Sequence, residues 1–405
     1  ERTLRWLANH PWIQVVTLDE VSTWGWREVD RGFRQDLALE TYDWLRHATQ
    51  TSYDQWYYGS AQEEAFVNVR PERAPGVAIP KAFGEVQRPG TLIGDVWSSV
   101  ARAPKNRVRD LAEAVFVVSM FETAWHDEDM NDYHAKTGNG DYAKPDTTYD
   151  RVSGWARAMH SRVGDASIAA AAARWAASPP AGVRVWREDA DEDGEEEYVV
   201  ADARAFYCFE DDGARLVLAA VRDSNGNADT FVAGLLQGPG DIEQRDRETE
   251  RDDGPVHPHG LVDWWATGRG SRYVNATYRA AALTSGWAFT SDDGLVRKQV
   301  TLSAGRLTVA YDVHPSAGSV SVRTGLAPAT LDLFMGAPLT TSTRSDGALV
   351  AEAGRVRVAL LAQGGAQLNH GATFGSKGAR GTPFAHQTEV QGSGRFSFVL
   401  EPELR

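Results

Sequence analysis

The sequence predicts a multidomain α+β protein made of a remnant of an α/β barrel, a helical region and a large antiparallel β-sandwich. Three observations predict it. One helix-then-strand pattern fills the first thirty residues, helical periodicity dominates from about 31 to 178, and short β-branched runs separated by turn residues fill the rest. The chain has 405 residues, 42% of them apolar and 10% aromatic, which is enough for two or three packed domains.

Residues 1–30 read as one α/β unit. "RTLRWLANHP" carries apolar positions at helical spacing up to Pro11, and "WIQVVTLDEV" is a short run of the kind that forms a buried strand. One parallel strand needs neighbours, so this piece is expected to be the last unit of a larger barrel, with an N-terminal barrel segment of the same protein as its partner. From 31 to 178 the clearest helical segments are "DLALETYDWLRHA", "NRVRDLAEAVFVVSMFETAW" and "TYDRVSGWARAMHSRVGDASIAAAAARWAA". Between the first two, residues 53–97 are rich in Pro, Gly and aromatics and read as irregular, either covering a cleft or running as an arm between domains. "SPPAG" at 178–182 breaks the last helix. Residues 183–405 then read as β, through "VRVWRE", "EEYVVAD", "RAFYCFE", "ARLVLAAV", "VRKQVTLSAGRLTVAYDV", "VSVRTGL", "RVRVALLA" and "RFSFVLE".

Charge and composition exclude several classes of partner. A formal net charge of −14 offers no general attraction to nucleic acid or to an anionic membrane surface, and no apolar run is long enough to span a bilayer. Cys208 is the only cysteine, which rules out an intrachain disulfide or a cysteine-based zinc site and leaves the redox compartment open. There is no P-loop, no glycine-rich dinucleotide fingerprint and no nucleophile elbow, and no organic cofactor is expected.

Three stretches carry the chemistry-bearing residues. In "MFETAWHDEDMNDYH", Glu122, Trp125, His126 and Asp129 fall at i, i+3, i+4 and i+7, on one face of the end of an otherwise apolar helix. A sugar-binding wall needs this mixture, since an aromatic ring covers the C–H face of a pyranose while carboxylate and imidazole fix its orientation. A solvated helix end is the plainer alternative. "DADEDGEEE" places Asp189, Asp191, Asp193, Glu195 and Glu197 at loop positions 1, 3, 5, 7 and 9, with Gly194 at position 6, which matches the ligand spacing of a calcium loop, Glu195 serving through its carbonyl. Position 12 is Val200 and a strand follows, so the motif is not an EF-hand, and an ion-free acidic turn is the alternative. "HPHGLVDWW", residues 257–265, reads as a loop in which His257 and His259 are further candidate substrate contacts and the paired tryptophans are equally well explained as core.

At "WLANHPWIQVVTLDEV", "FETAWHDED" and "DADEDGEEEYVVADARAFYCFE", taken in order, the chain resembles the C-terminal part of a glycoside hydrolase family 57 enzyme. That resemblance implies an α-glucan or maltooligosaccharide substrate, an incomplete α/β barrel with a helical region packed on it, and a β-rich domain behind. It implies that Glu122, Trp125, His126 and Asp127 line the substrate cleft. The family's catalytic glutamate and aspartate lie on barrel strands before the region matched here, so the catalytic pair is expected outside this chain. Hydrolysis with retention needs two carboxyl groups about 5 Å apart, and no such pair is evident in these residues. The alternative function is a non-catalytic carbohydrate-binding or scaffold module.

Overall fold

The computed structural model describes residues 92–123, 145–146, 152–192, 194, 196–210, 213–233, 260–265, 272–274, 276–369 and 385–405. The expected barrel unit at 1–30 lies outside these residues. Helices α1 (Leu92–Arg102), α2 (Arg107–Thr123) and α3 (Gly154–Ala177) form one layer, preceded at α3 by the short pair β1 (Pro145–Asp146) and β2 (Val152–Ser153). The start of α1 falls inside the stretch read as irregular. Among its described side chains Val96 and Val100 are buried with the flanking Ala103, and Trp97 packs on the same core against Phe116.

Every described sheet is antiparallel. Five strands form a meander: β3 (Arg184–Glu188), β4 (Glu197–Ala201), β5 (Ala205–Phe209), β6 (Leu216–Arg222) and β7 (Ala228–Ala233). The remaining strands are β8 (Val262–Trp265), β9 (Tyr278–Leu283), β10 (Gly286–Ser291), β11 (Val296–Ser303), β12 (Arg306–Val313), β13 (Ser319–Leu326), β14 (Thr340–Thr343), β15 (Leu349–Ala353), β16 (Val356–Gln363), β17 (Gln367–Asn369), β18 (His386–Ser393) and β19 (Arg395–Leu404). They make an eight-stranded sheet in the order β14-β15-β16-β19-β12-β11-β10-β9 and a four-stranded sheet in the order β17-β18-β13-β8. A short helix, α4 (Thr330–Phe334), follows β13.

The five-stranded sheet lies between two apolar cores. Val199, Ala201, Phe206, Cys208, Leu218 and Ala220 pack with the helices, while Val200, Ala205, Tyr207, Phe209, Ala219 and Val221 pack with the inner face of the eight-stranded sheet. Successive side chains of a strand point to opposite faces, so a strand covered on both sides reads as a continuous apolar run, as "AFYCF" does. Strands β11 and β12 have one wet face and alternate: Val296, Val300, Leu302, Leu307, Val309 and Val313 are buried, whereas Arg297, Ser303, Arg306 and Asp312 are exposed. Their two-residue turn holds Ala304 and Gly305 at φ 49° and 81°, the positive values a tight hairpin of this twist requires.

Polar groups tie the layers together. In the β4–β5 turn the Asp202 carboxylate accepts from the amides of Arg204, Ala205 and Gly305, the last at 2.7 Å from the β11–β12 turn. The Trp175 indole of α3 donates to the Asp202 carbonyl at 2.8 Å. Arg107, at the start of α2, pairs with Asp229 of β7 at 2.7 Å and also with Asp332 of α4. Burial pushes the Asp229 carboxyl up to about 6, against the opposing pull of Arg107 and the Thr230 amide.

Candidate functional site

Several of the predicted site residues lie outside the described residues: Trp125, His126 and Asp127, His257 and His259, and Asp193 and Glu195 of the acidic loop. The Glu122 backbone belongs to the last turn of α2. Asp189, Asp191 and Glu197 are described and come together at the β3–β4 turn, with one carboxylate oxygen of each within 4.8 Å of the others. Glu197, buried at the start of β4, accepts from the amides of Ala190 and Asp191, and Asp189 accepts from the Gly194 amide at 3.2 Å. Gly194 sits at φ 97°, a conformation that lets the loop fold back over its first acid. Hard carboxylate oxygens converging on one point suit a calcium ion in ligand type. The loop also packs on the helical layer, because a Cβ at Gly164 of α3 would lie 2.7 Å from the Asp191 carbonyl. Nearby Cys208 is fully buried, and burial followed by the charge of Glu197 pushes its thiol well up, which removes it as a nucleophile.

A second polar centre was not read from the sequence. Lys298 of β11 and Asp263 of β8 are fully buried and pair at 3.1 Å. The Lys298 ammonium also donates to the carbonyls of Ala214 and Leu261 at 2.9 Å and of Gly213 at 3.2 Å. Asp263 accepts from the hydroxyls of Tyr311 at 2.6 Å and Tyr278 at 2.9 Å. Burial pushes the carboxyl up and the ammonium down, and their mutual attraction opposes both shifts. Burial, then the Asp263 charge, holds both phenols well above their usual range, so they remain donors. With its donors and acceptors engaged by one another, the cluster has the chemistry of a staple. It fastens the segment before β6 and the start of β8 to the eight-stranded sheet. Gly213 fits there because its φ is 65° and a Cβ would fall 2.1 Å from the Val274 carbonyl.

The third centre grows from "HPHGLVDWW", read as a loop. Residues 262–265 are instead the edge strand β8, paired with β13, because "LVDWW" alternates once it has a partner: Asp263 turns inward to Lys298 and Trp264 turns to the opposite face. On that face Ser321 lies opposite Trp264, and the Arg323 guanidinium sits 4.2 Å from the centre of the Trp264 ring. Arg323 also faces Glu389 of β18 at 3.9 Å. Trp264 and Ser321 are 2% and 4% exposed. Trp264 Nε1, Ser321 Oγ and Arg323 Nη1 are buried without a hydrogen-bond partner among the described residues. A buried donor left so costs about 1–3 kcal/mol. In register, Gln391 lies opposite Ser321, Asn369 opposite Glu389, and Gln367 opposite Gln391, extending a polar row to the β17 edge.

No family model matches the chain, and no curated protein matches it. Among solved structures it is similar to a 4-alpha-glucanotransferase from Thermococcus litoralis, at TM-score 0.36 and 11% identity over all of this chain and 63% of that one. A GalM/aldose epimerase homologue from C. elegans aligns at TM-score 0.30 and 11% identity, over 50% of this chain and 96% of that one. The periplasmic domain of Thermotoga maritima YidC aligns at TM-score 0.30 and 10% identity, over 55% and 87%. The chain thus spans less than two thirds of the glucanotransferase, and these likenesses assign it to no family. Among the described residues no helix is long and apolar enough to cross a membrane.

Proposed function

We propose that the chain is the helical and β-rich C-terminal portion of an α-glucan-acting glycoside hydrolase or glucanotransferase. In this reading Glu122, Trp125, His126 and Asp127 line the substrate cleft, His257 and His259 add contacts from the β region, and a barrel supplies the catalytic carboxylates. The observation that carries it is the order of three motifs, "WLANHPWIQVVTLDEV", "FETAWHDED" and "DADEDGEEEYVVADARAFYCFE", along one chain. Two structural features support it. The helix leading into "FETAWHDED" is packed in the layer against α3 and fastened by Arg107 to β7, which suits an element that must hold a cleft wall still. The carboxylates of Asp189, Asp191 and Glu197 converge as a calcium loop would need, and in the proposal one calcium ion, completed by Asp193 and the Glu195 carbonyl, rigidifies the start of the β region.

Calorimetric titration of the full chain with maltoheptaose tests the assignment. Binding that weakens more than tenfold in Trp125→Ala, with the melting temperature unchanged, is the expected result. Affinity indifferent to Trp125→Ala, or preference for a glycan other than an α-glucan, would overturn it.

A further inference from the structure

The geometry points to a ligand site on the outer, solvent-facing side of the eight-stranded sheet: a track for an acidic linear polysaccharide with a carboxylate on every second sugar, held by Arg395, Arg297 and Arg279. Register places these three arginines in one row across the strands. Arg395 of β19 lies opposite Asp312 of β12, Asp312 opposite Arg297 of β11, Arg297 opposite Thr290 of β10, and Thr290 opposite Arg279 of β9. Neighbouring strands are about 4.8 Å apart, so the cations recur about every 10 Å over a row of about 20 Å. Access is direct, since all three are exposed, Arg395 to 87%. Asp312, the only carboxylate in the row, faces Arg395 at 3.3 Å, while Arg297 and Arg279 form no ion pair among the described residues. Three cations against one carboxylate leave this strip positive on a chain whose formal net charge is −14. Beside it runs a lower row of short and amide side chains, Ser397, Ala310, Gln299, Ala288 and Ala281, again in register. At the Arg395–Arg297 end the two rows are wall and floor of a groove of about 440 Å³, a size suited to a ligand. Gly364 borders that groove without a side chain, and a Cβ there would come 3.2 Å from the Ser397 hydroxyl. Guanidinium forks match carboxylates, and the Ser397 hydroxyl and Gln299 amide can both donate and accept, as sugar hydroxyls require. The spacing selects the polymer. Same-side carboxylates of an extended peptide recur at about 6.8 Å and the phosphates of a nucleic-acid strand at about 3.4 Å along its axis, whereas a disaccharide of an extended glycan covers about one arginine interval. A densely charged polymer is also repelled by the rest of this acidic chain.

This site is independent of the α-glucan reading, which concerns a neutral sugar and Trp125. The test titrates the full chain with a hyaluronan octasaccharide, in which alternate sugars carry a carboxylate, and with octagalacturonate, in which every sugar does. Maltoheptaose and a single-stranded oligodeoxynucleotide serve as the neutral and the polyphosphate probe. The hyaluronan octasaccharide should bind more tightly than the other two anions, with an affinity that falls as salt rises. The double variant Arg279→Gln with Arg297→Gln should weaken that binding about tenfold or more, since two charge-assisted contacts are lost, while the melting temperature holds. Arg355→Gln, at an exposed arginine outside the row, should change nothing. Asp312→Asn should tighten binding about two- to fivefold, because it removes a like charge from beside the ligand, an effect that a merely structural ion pair would not produce. Maltoheptaose affinity should be indifferent to all of these changes. The proposal is overturned if neither acidic oligosaccharide binds, if binding survives the double variant, or if the oligodeoxynucleotide is preferred. Tighter binding of octagalacturonate would overturn the assignment to alternate sugars.

Discussion

The five-stranded and eight-stranded sheets use the same antiparallel hydrogen bonding, yet their sequences obey different rules. Strands β5 and β6 are apolar on both faces because helices cover one side and a second sheet the other. Strands β11 and β12 alternate because one side is wet. Solvent on one face, and not strand direction, sets the pattern. The instructive exception is Lys298, which occupies an inward position between Val296 and Val300 and is fully buried. An ammonium there is tolerable only because a carboxylate and three carbonyls surround it.

The largest expected effects attack those two situations directly. Phe206→Ala empties a site in the core shared by helices and sheet and should lower stability by about 3–5 kcal/mol in urea unfolding. Lys298→Met fits the apolar pattern better than the native residue but strands Asp263, and should also cost about 3–5 kcal/mol. Replacing both members, as Lys298→Met with Asp263→Leu, should recover much of that loss. A single Lys298→Met variant as stable as the parent would mean that the pair is incidental and that the alternation rule alone governs β11.

A pH experiment probes the seam between helices and five-stranded sheet. The Asp229 carboxyl is raised to about 6 by burial, from an ordinary 3.8. A carboxyl with a raised native pKa binds its proton more tightly when folded, so its contribution to stability is present at low pH and is lost as pH rises from about 4 to about 6. The difference corresponds to about 3 kcal/mol. Asp229→Asn should flatten the profile in that window. The measurement is the urea midpoint of both proteins at pH 4.5 and 7. A slope shared by parent and variant would show that Arg107 neutralises Asp229 throughout.

The proposed calcium ion would bind the loop joining the first two strands of the same sheet, where Asp189, Asp191 and Glu197 converge. At a hundredfold excess over the dissociation constant, one ion binding only the native state adds about 2.7 kcal/mol. Melting temperature should therefore rise with calcium and fall back in chelator, and Asp191→Asn should blunt the response. Identical melting curves with calcium and chelator would leave an acidic turn closed by its own amides.

Local patterns carried much of the β region. "VRVWRE", "RAFYCFE", "ARLVLAAV" and the hairpin "VRKQVTLSAGRLTVAYDV" were legible as strands because β-branched and aromatic runs ended at turn residues, and the structure has β3, β5, β6 and the β11–β12 pair there. Strands β7, β8, β9, β10, β14, β15, β17 and β18 were not read. "ADTFVA" and "HQTEVQGS" are too polar or too short to announce themselves, and they become strands by pairing with β6 and β13. The acidic loop was visible because its ligands are adjacent in sequence. The Asp263–Lys298 pair and the Trp264–Ser321–Arg323 group were not, because each joins residues at least 35 positions apart that only sheet register brings together. The one available hint for the first was a lysine at an inward phase of an alternating strand.

The smallest expected effect lies on the wet face that makes the eight-stranded sheet alternate. Thr308 of β12 is half-buried, pointing outward between Thr301 and Val399 in register, on the side opposite the core residues Leu307 and Val309. Removing its hydroxyl and methyl opens no cavity, because solvent reaches the position, so Thr308→Ala should change stability by no more than about 0.5 kcal/mol. Its neighbour Val309, one residue away on the inner face, gives the contrast. Val309→Ala removes two buried methyl groups, about 0.8 kcal/mol each before any cavity is counted, and should cost at least three times as much. Equal losses at 308 and 309 would mean that the outer face is covered by another layer, as the five-stranded sheet is. The alternating sequence would then reflect polar contacts across that layer and not exposure to water.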